Sequence, residues 1–144
     1  MKKRPSILLE ILLAIALLSA AIGPLMRKPI ELYRSQMKAL KEVEQQRLAD
    51  LAFAEIKVSL CNTQIPWKKL PSKETKQTIH PLSPVFMNIP YSDPQSVGRK
   101  AIFKLRREKT EATGDLVRLL EIEIQFDSSP SKYVYQTIVK KMSA

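Results

Sequence analysis

The residues able to do chemistry in this chain are few and scattered. His80 is the single histidine and Cys61 the single cysteine, which excludes histidine-rich metal sites, structural zinc sites and an internal disulfide framework. Gly23, Gly98 and Gly114 stand too far apart to cradle a phosphate. Glu121 and Glu123 share one face of an alternating run. Paired carboxylates can serve as acid and base, but in such a run the pattern predicts a solvated strand face. Arg99-Lys100 with Lys104-Arg106-Arg107 is the best candidate for contact with nucleic acid, yet it lacks the interleaved aromatics on which bases stack. No catalytic constellation, cofactor site or small-molecule substrate site emerges, so an enzyme is not expected.

One titratable group is placed unusually. Glu10 is the sole charge in the stretch Ser6 to Met26, SILLEILLAIALLSAAIGPLM, which follows the basic head Met1 to Arg4. As a helix this stretch rises roughly 31 Å, close to the ~30 Å hydrocarbon thickness of a bilayer. A carboxylate at mid-membrane costs about 2.5–3.5 kcal/mol by insertion scales. Glu10 therefore either lies at the headgroup boundary or is neutralised by a partner.

The order of these residues, Lys2-Lys3-Arg4-Pro5, then Ser6-Ile7-Leu8-Leu9-Glu10, then Ile11 to Leu18, resembles the class III leader and first helix of type IV pilins and type II secretion pseudopilins. In that family a short basic leader precedes an apolar helix with glutamate at its fifth mature position, the place Glu10 takes if cleavage falls between Pro5 and Ser6. The resemblance implies processing by a prepilin peptidase, methylation of the new amino group at Ser6, and pairing of Glu10 with a neighbouring subunit's amino terminus. It also implies a single-pass protein of the bacterial inner membrane, amino terminus cytoplasmic and carboxyl-terminal domain periplasmic, whose partners are other pilin or pseudopilin subunits. The family places Gly before the cut and commonly Phe after it, where this chain has Pro5 and Ser6. Major pseudopilins can hold calcium in a carboxyl-terminal loop; the comparable turn here offers Asp127 alone among acids, too few hard ligands for a dedicated site.

The amino terminus also fits a secretory signal peptide with a small-residue cleavage site at Ser19-Ala20-Ala21, which would start the mature chain at Ile22. Glu10 in the apolar core and the amphipathic pattern directly downstream argue against that reading. Lys2, Lys3 and Arg4 on one side of the span face Arg27 and Lys28 on the other, so positive charge alone does not orient it.

The chain has 144 residues and a net charge of +10, from 24 Lys and Arg against 14 Asp and Glu. That length allows one modest domain besides the membrane segment. Without the three bases and one acid of the first 26 residues the remainder still carries +8, an excess that a solvated surface accommodates and that also permits attraction to acidic surfaces.

The elements that would position Glu10 and its domain read as follows. Residues 1–5 form the leader, 6–28 the membrane helix, 29–60 an amphipathic extension, and 61–144 a Pro-rich connector and β-sheet head. Gly23-Pro24 and Pro29 should kink or loosen the helix, with Pro29 suited to a first turn. Ile30, Tyr33, Met37, Leu40, Val43, Leu48, Leu51 and Ile56 recur at mostly three- and four-residue steps and predict the stripe that faces a core. Cys61 is expected to be buried near the helix end.

Between Asn62 and Ser96 lie six of the ten prolines, which predicts a loop-rich connector with a short extended piece at Pro84 to Ile89. Trp67 there is expected to cover the edge of the core. Alternation at Lys100 to Arg107, Leu116 to Phe126 and Tyr133 to Val139 predicts a three-stranded antiparallel meander with one apolar face, covered by the helix stripe. The expected fold class is α+β and pilin-like: one long N-terminal helix packed on a small antiparallel sheet.

Overall fold

The computed structural model describes residues 7–141. One helix, α1 (Ile7–Cys61), is followed by a short 3₁₀ turn (Trp67–Lys69) and four strands, β1 (Gln77–Met87), β2 (Gln95–Thr110), β3 (Leu116–Phe126) and β4 (Lys132–Lys141). This is the α+β arrangement expected, and helix-then-sheet order is compatible with a pilin-like fold. The chain divides into two compact units, Met1–Lys41 and Glu42–Ala144. The second is called the head below.

In the first unit α1 runs without interruption through Pro24 and Pro29, where a kink or loosening was expected and where Pro29 was read as a first-turn residue. Each proline removes the N–H that would bond the carbonyl one turn back, at Ala20 and Leu25, yet the chain continues in helical conformation through both, the apolar sequence around Pro24 included. An apolar solvent favours that outcome, because it penalises any backbone group left outside a helix.

In the head, α1 buries Gln45, Leu48, Ala49, Ala52, Ile56 and Leu60. Leu48 and Ile56 belong to the stripe read from the sequence. Ile30, Tyr33, Leu40, Val43 and Leu51 of that same stripe are not buried: all five are exposed. The face that packs is narrower and smaller than predicted, and fully buried Ala49 and Ala52 let the helix backbone approach the sheet closely. The helix ends in a Schellman arrangement, with Gln64 N donating to Ser59 O at 3.0 Å and Thr63 N to Leu60 O at 3.3 Å. Thr63 occupies the left-handed position (φ 56°) usually given to glycine. Cys61 beside it is exposed, not buried as expected, because it lines the open cavity at the helix end and not the packed core.

The sheet is a meander in the order β1-β2-β3-β4, all neighbours antiparallel. It has four strands where three were expected. The additional one, β1, lies inside the Pro-rich stretch read as a connector: it contains Pro81 and Pro84 and sits at the sheet edge, where a missing N–H removes no ladder bond. The pairing register shifts between Leu82 and Val85, which absorbs Ser83-Pro84 as a bulge. Leu120, Ile122, Ile124 and Phe126 of β3 form the buried face, meeting Ala101, Phe103 and Leu105 of β2 and the helix stripe. Each such fully buried side chain contributes about 1.5–3 kcal/mol.

The opposite face of β3 departs from expectation. Glu121 and Glu123 are 6% and 4% exposed rather than solvated, because long cationic side chains from the flanking strands lie over them. Lys104 Nζ donates to Glu123 Oε2 at 2.7 Å, Gln125 Nε2 to Glu123 Oε1 at 2.5 Å, and Arg106 Nε to Glu121 Oε2 at 2.6 Å. Lys132 from β4 reaches Glu123 Oε1 at 3.1 Å. The bond from Lys104, then that from Gln125, hold the Glu123 carboxyl down at about 2 against the opposing effect of burial, with Lys132 assisting.

A carboxyl whose folded pKa lies below its unfolded value stabilises the fold above the unfolded pKa, and that contribution is lost as pH falls toward the folded one. The head is therefore expected to lose stability between pH about 4.5 and about 2. Glu123→Gln should flatten this dependence and cost about 1–3 kcal/mol at pH 7 by leaving cations underpaired; denaturation midpoints from circular dichroism at pH 7, 4 and 3 measure both effects.

Candidate assembly site

The first unit presents a surface that the chain itself does not cover. Ile7, Leu8, Leu9, Leu12, Leu17 and Leu18 are all exposed, as are the apolar residues between them and through Met26. None of the most apolar 18-residue window is buried within the protein, and this N-terminal helix is long and apolar enough to cross a membrane. Transferring such a surface into water would cost about 25 cal/mol per Å², so it belongs in hydrocarbon or against other apolar helices.

Glu10 lies within this surface, exposed and in the first turn of the described helix. The described residues one turn away, Ile7, Leu13 and Ala14, carry no polar side chain. Among the described residues, then, no side chain along the helix can neutralise it. Pro5 and Ser6, the expected processing positions, lie outside the described residues. At Gly23 an added Cβ would meet no atom within 4 Å. Packing within this chain therefore does not require glycine there, although glycine in a helix interior costs about 1 kcal/mol relative to alanine.

The head carries its polar chemistry in three places. Arg99, buried on the core face of β2, donates through Nε to Ser83 O at 2.6 Å and through Nη2 to Glu55 Oε2 at 2.7 Å. It thereby ties the β1 bulge to α1. Along the other margin of the helix, Tyr135 Oη donates to Asp50 Oδ1 at 2.6 Å and its ring stacks on Phe53 with centroids 4.6 Å apart. Burial, followed by that bond to Asp50, pushes the Tyr135 hydroxyl well above the usual phenol range. Beside it Tyr133 Oη reaches Gln45 Oε1 at 3.5 Å, while Gln45 Nε2 is buried without a partner.

The third place is a cavity of about 480 Å³ at the end of α1, walled by Leu60, Cys61, Ile65, Trp67 and the β4 residues Thr137 to Lys141. Trp67 packs against the core edge as expected, with the Arg118 guanidinium 4.3 Å above its ring. Arg118 in turn donates to Glu108.

The basic cluster read as a nucleic-acid candidate does not form one free surface. Arg99 points into the core, and Lys104 and Arg106 pair with Glu123 and Glu121. Sequence reasoning missed the cavity and the tyrosine margin, because both depend on which strand lies beside the helix end. The unbroken period-two run around Tyr133 and Tyr135 was the available signal for the latter.

If residues 7–26 lie in lipid, Ala16→Asp should add about 2.5–3.5 kcal/mol to the cost of insertion and shift the protein from the carbonate-resistant to the soluble fraction of isolated membranes. Unchanged fractionation would show that this segment does not hold the chain in the bilayer.

Compared with protein-family models, curated proteins and solved structures, the chain matches none.

Proposed function

We propose that this protein is a minor or atypical pseudopilin, a structural subunit of a type II secretion or related type IV pilus-like filament. It is held in the bacterial inner membrane by residues 6–28, with its amino terminus cytoplasmic and its head periplasmic. The single observation that carries the reading is Glu10: a carboxylate on an uncovered apolar helix, with no neutralising side chain one turn away among the described residues. Such a group is tolerated in lipid when a second chain pairs with it. In the resembling family that partner is the amino group of an adjacent subunit, created by cleavage of the leader.

Assembly follows from the same physics. In lipid, helices gain little from the hydrophobic effect and associate by close packing and polar pairing. Glu10 then fixes the register of neighbouring helices, and the apolar surface from Ile7 to Met26 supplies the lateral contact. The head rides on that helical core and sets what the filament presents. Prepilin peptidase and sibling subunits are the partners this requires.

Mass spectrometry of the native amino terminus tests the reading. A chain starting at Ser6, methylated there, is the expected result; one starting at Ile22 or an intact Met1 would overturn it. Glu10→Ala is expected to leave membrane insertion intact while reducing recovery in cross-linked multi-subunit complexes about tenfold, equivalent to the loss of ~1.4 kcal/mol of pairing. Undiminished recovery would remove the register role.

A further inference from the structure

The two edges of the sheet are built differently. β1 closes its edge with Pro81, Pro84 and a bulge, devices that prevent another strand from pairing. β4 has none of them. Its pairing with β3 runs from Lys132 to Lys141 without a register shift, it contains no proline, and in the strand order its far side has no neighbour. The centre, Tyr133 to Val139, is uncharged and rich in β-branched and aromatic residues, the composition most disposed to accept a further strand.

Two further observations bear on what would pair there. Val134 and Ile138, on the face of β4 away from the helix, are 55% and 69% exposed, an apolar pair that an added strand would cover. On the other face, the second half of the same strand, Thr137 to Lys141, walls the cavity over Trp67 and Leu60. A side chain of an added strand that points to that face would enter an apolar space of about 480 Å³. Edge and cavity thus form one continuous surface, with main-chain bonds for affinity and a pocket for selection.

Charge decides between occupants. β4 bears Lys132 at one end and Lys140 and Lys141 at the other, and Lys57 joins Lys141 at the cavity. Lys132 and Lys140 already have carboxylate partners in Glu123, Glu111 and Asp115, whereas Lys57 and Lys141 have none among the described residues. A second copy fits poorly. Antiparallel pairing of β4 with itself about Gln136 sets Lys132 opposite Lys140 of the copy at both ends, and parallel pairing sets each lysine against its equivalent. Like charges directly opposite are destabilising.

We propose that the free edge of β4 binds an extended segment of another protein as a fifth strand, a segment apolar at its centre and acidic at its ends, with one apolar side chain seated in the cavity beside Trp67. This surface belongs to the head alone and does not depend on the filament role of α1.

The test uses the full chain in detergent micelles and a synthetic octapeptide, Glu-Val-Thr-Val-Ile-Val-Thr-Glu, followed by isothermal titration calorimetry. Micromolar binding is expected. It should weaken at least about tenfold when both glutamates are replaced by lysine, and by a similar factor when alternate backbone amides are N-methylated, which blocks the ladder without altering the protein. Lys141→Glu, an exposed substitution, should narrow the difference between the acidic and basic peptides. Because Cys61 lines the cavity, bound peptide should also slow its reaction with a maleimide. Absence of binding, equal affinity for acidic and basic peptides, full affinity of the N-methylated peptide, or an unprotected Cys61 would each overturn the proposal. So would a stable dimer in light scattering that Val134→Lys dissolves, since the occupant would then be a second copy.

Discussion

An apolar surface that its own chain does not cover governs this molecule. From Ile7 to Met26 the helix exposes leucine and isoleucine on every side, and among the described residues nothing of its own unit lies over them. The hydrophobic effect that closes the head, where Ala49, Ala52 and Ile56 are removed from solvent by the sheet, acts on the first unit only through a different solvent or other molecules. In such a solvent the backbone is held helical through Pro24, and a single carboxylate becomes the group with most to gain from a partner. The proposed filament role is a statement about where that surface and that carboxylate find cover.

The head solves a separate problem. Its sheet buries one face against a helix and leaves the other without a covering layer, an arrangement common in antiparallel sheets. The uncovered face is not simply wet. Lysine and arginine stems from β2 and β4 lie over Glu121 and Glu123, so the carboxylates are nearly as secluded as the leucines behind them. Because every cationic partner comes from an adjoining strand, the same ion pairs that satisfy the acids also specify how β2, β3 and β4 align.

Part of this architecture was legible in the residues. Alternation at 120, 122, 124 and 126 marks β3 at the boundaries it adopts, and the apolar run after the basic head marks a helix. Other features were hidden for physical reasons. Prolines 81 and 84 read as breakers because propensity does not distinguish an edge strand from a central one. The helix stripe was misplaced because large side chains were weighted over small ones, while the residues that let helix and sheet approach are Ala49 and Ala52. The seclusion of Glu121 and Glu123 needs the cross-strand register, which no local pattern contains. Of the candidate assembly site, Glu10 was evident from composition alone. The cavity beside Trp67 joins the end of α1 to a strand some 75 residues later in the chain and has no local signature.

The stacking of Arg118 over Trp67 has a practical consequence. Trp67 is the only tryptophan, and it lies in the head at the rim of the core, far in sequence from the apolar segment. Its guanidinium cover at 4.3 Å depends on the strand pairing that brings Arg118 beside it. The tryptophan emission of the intact protein, unlike that of its tyrosines, which include Tyr33 of the first unit, is therefore a signal of the head alone. Its wavelength and quenching follow the packing of Trp67 in the head and carry no contribution from the apolar segment Ile7 to Met26.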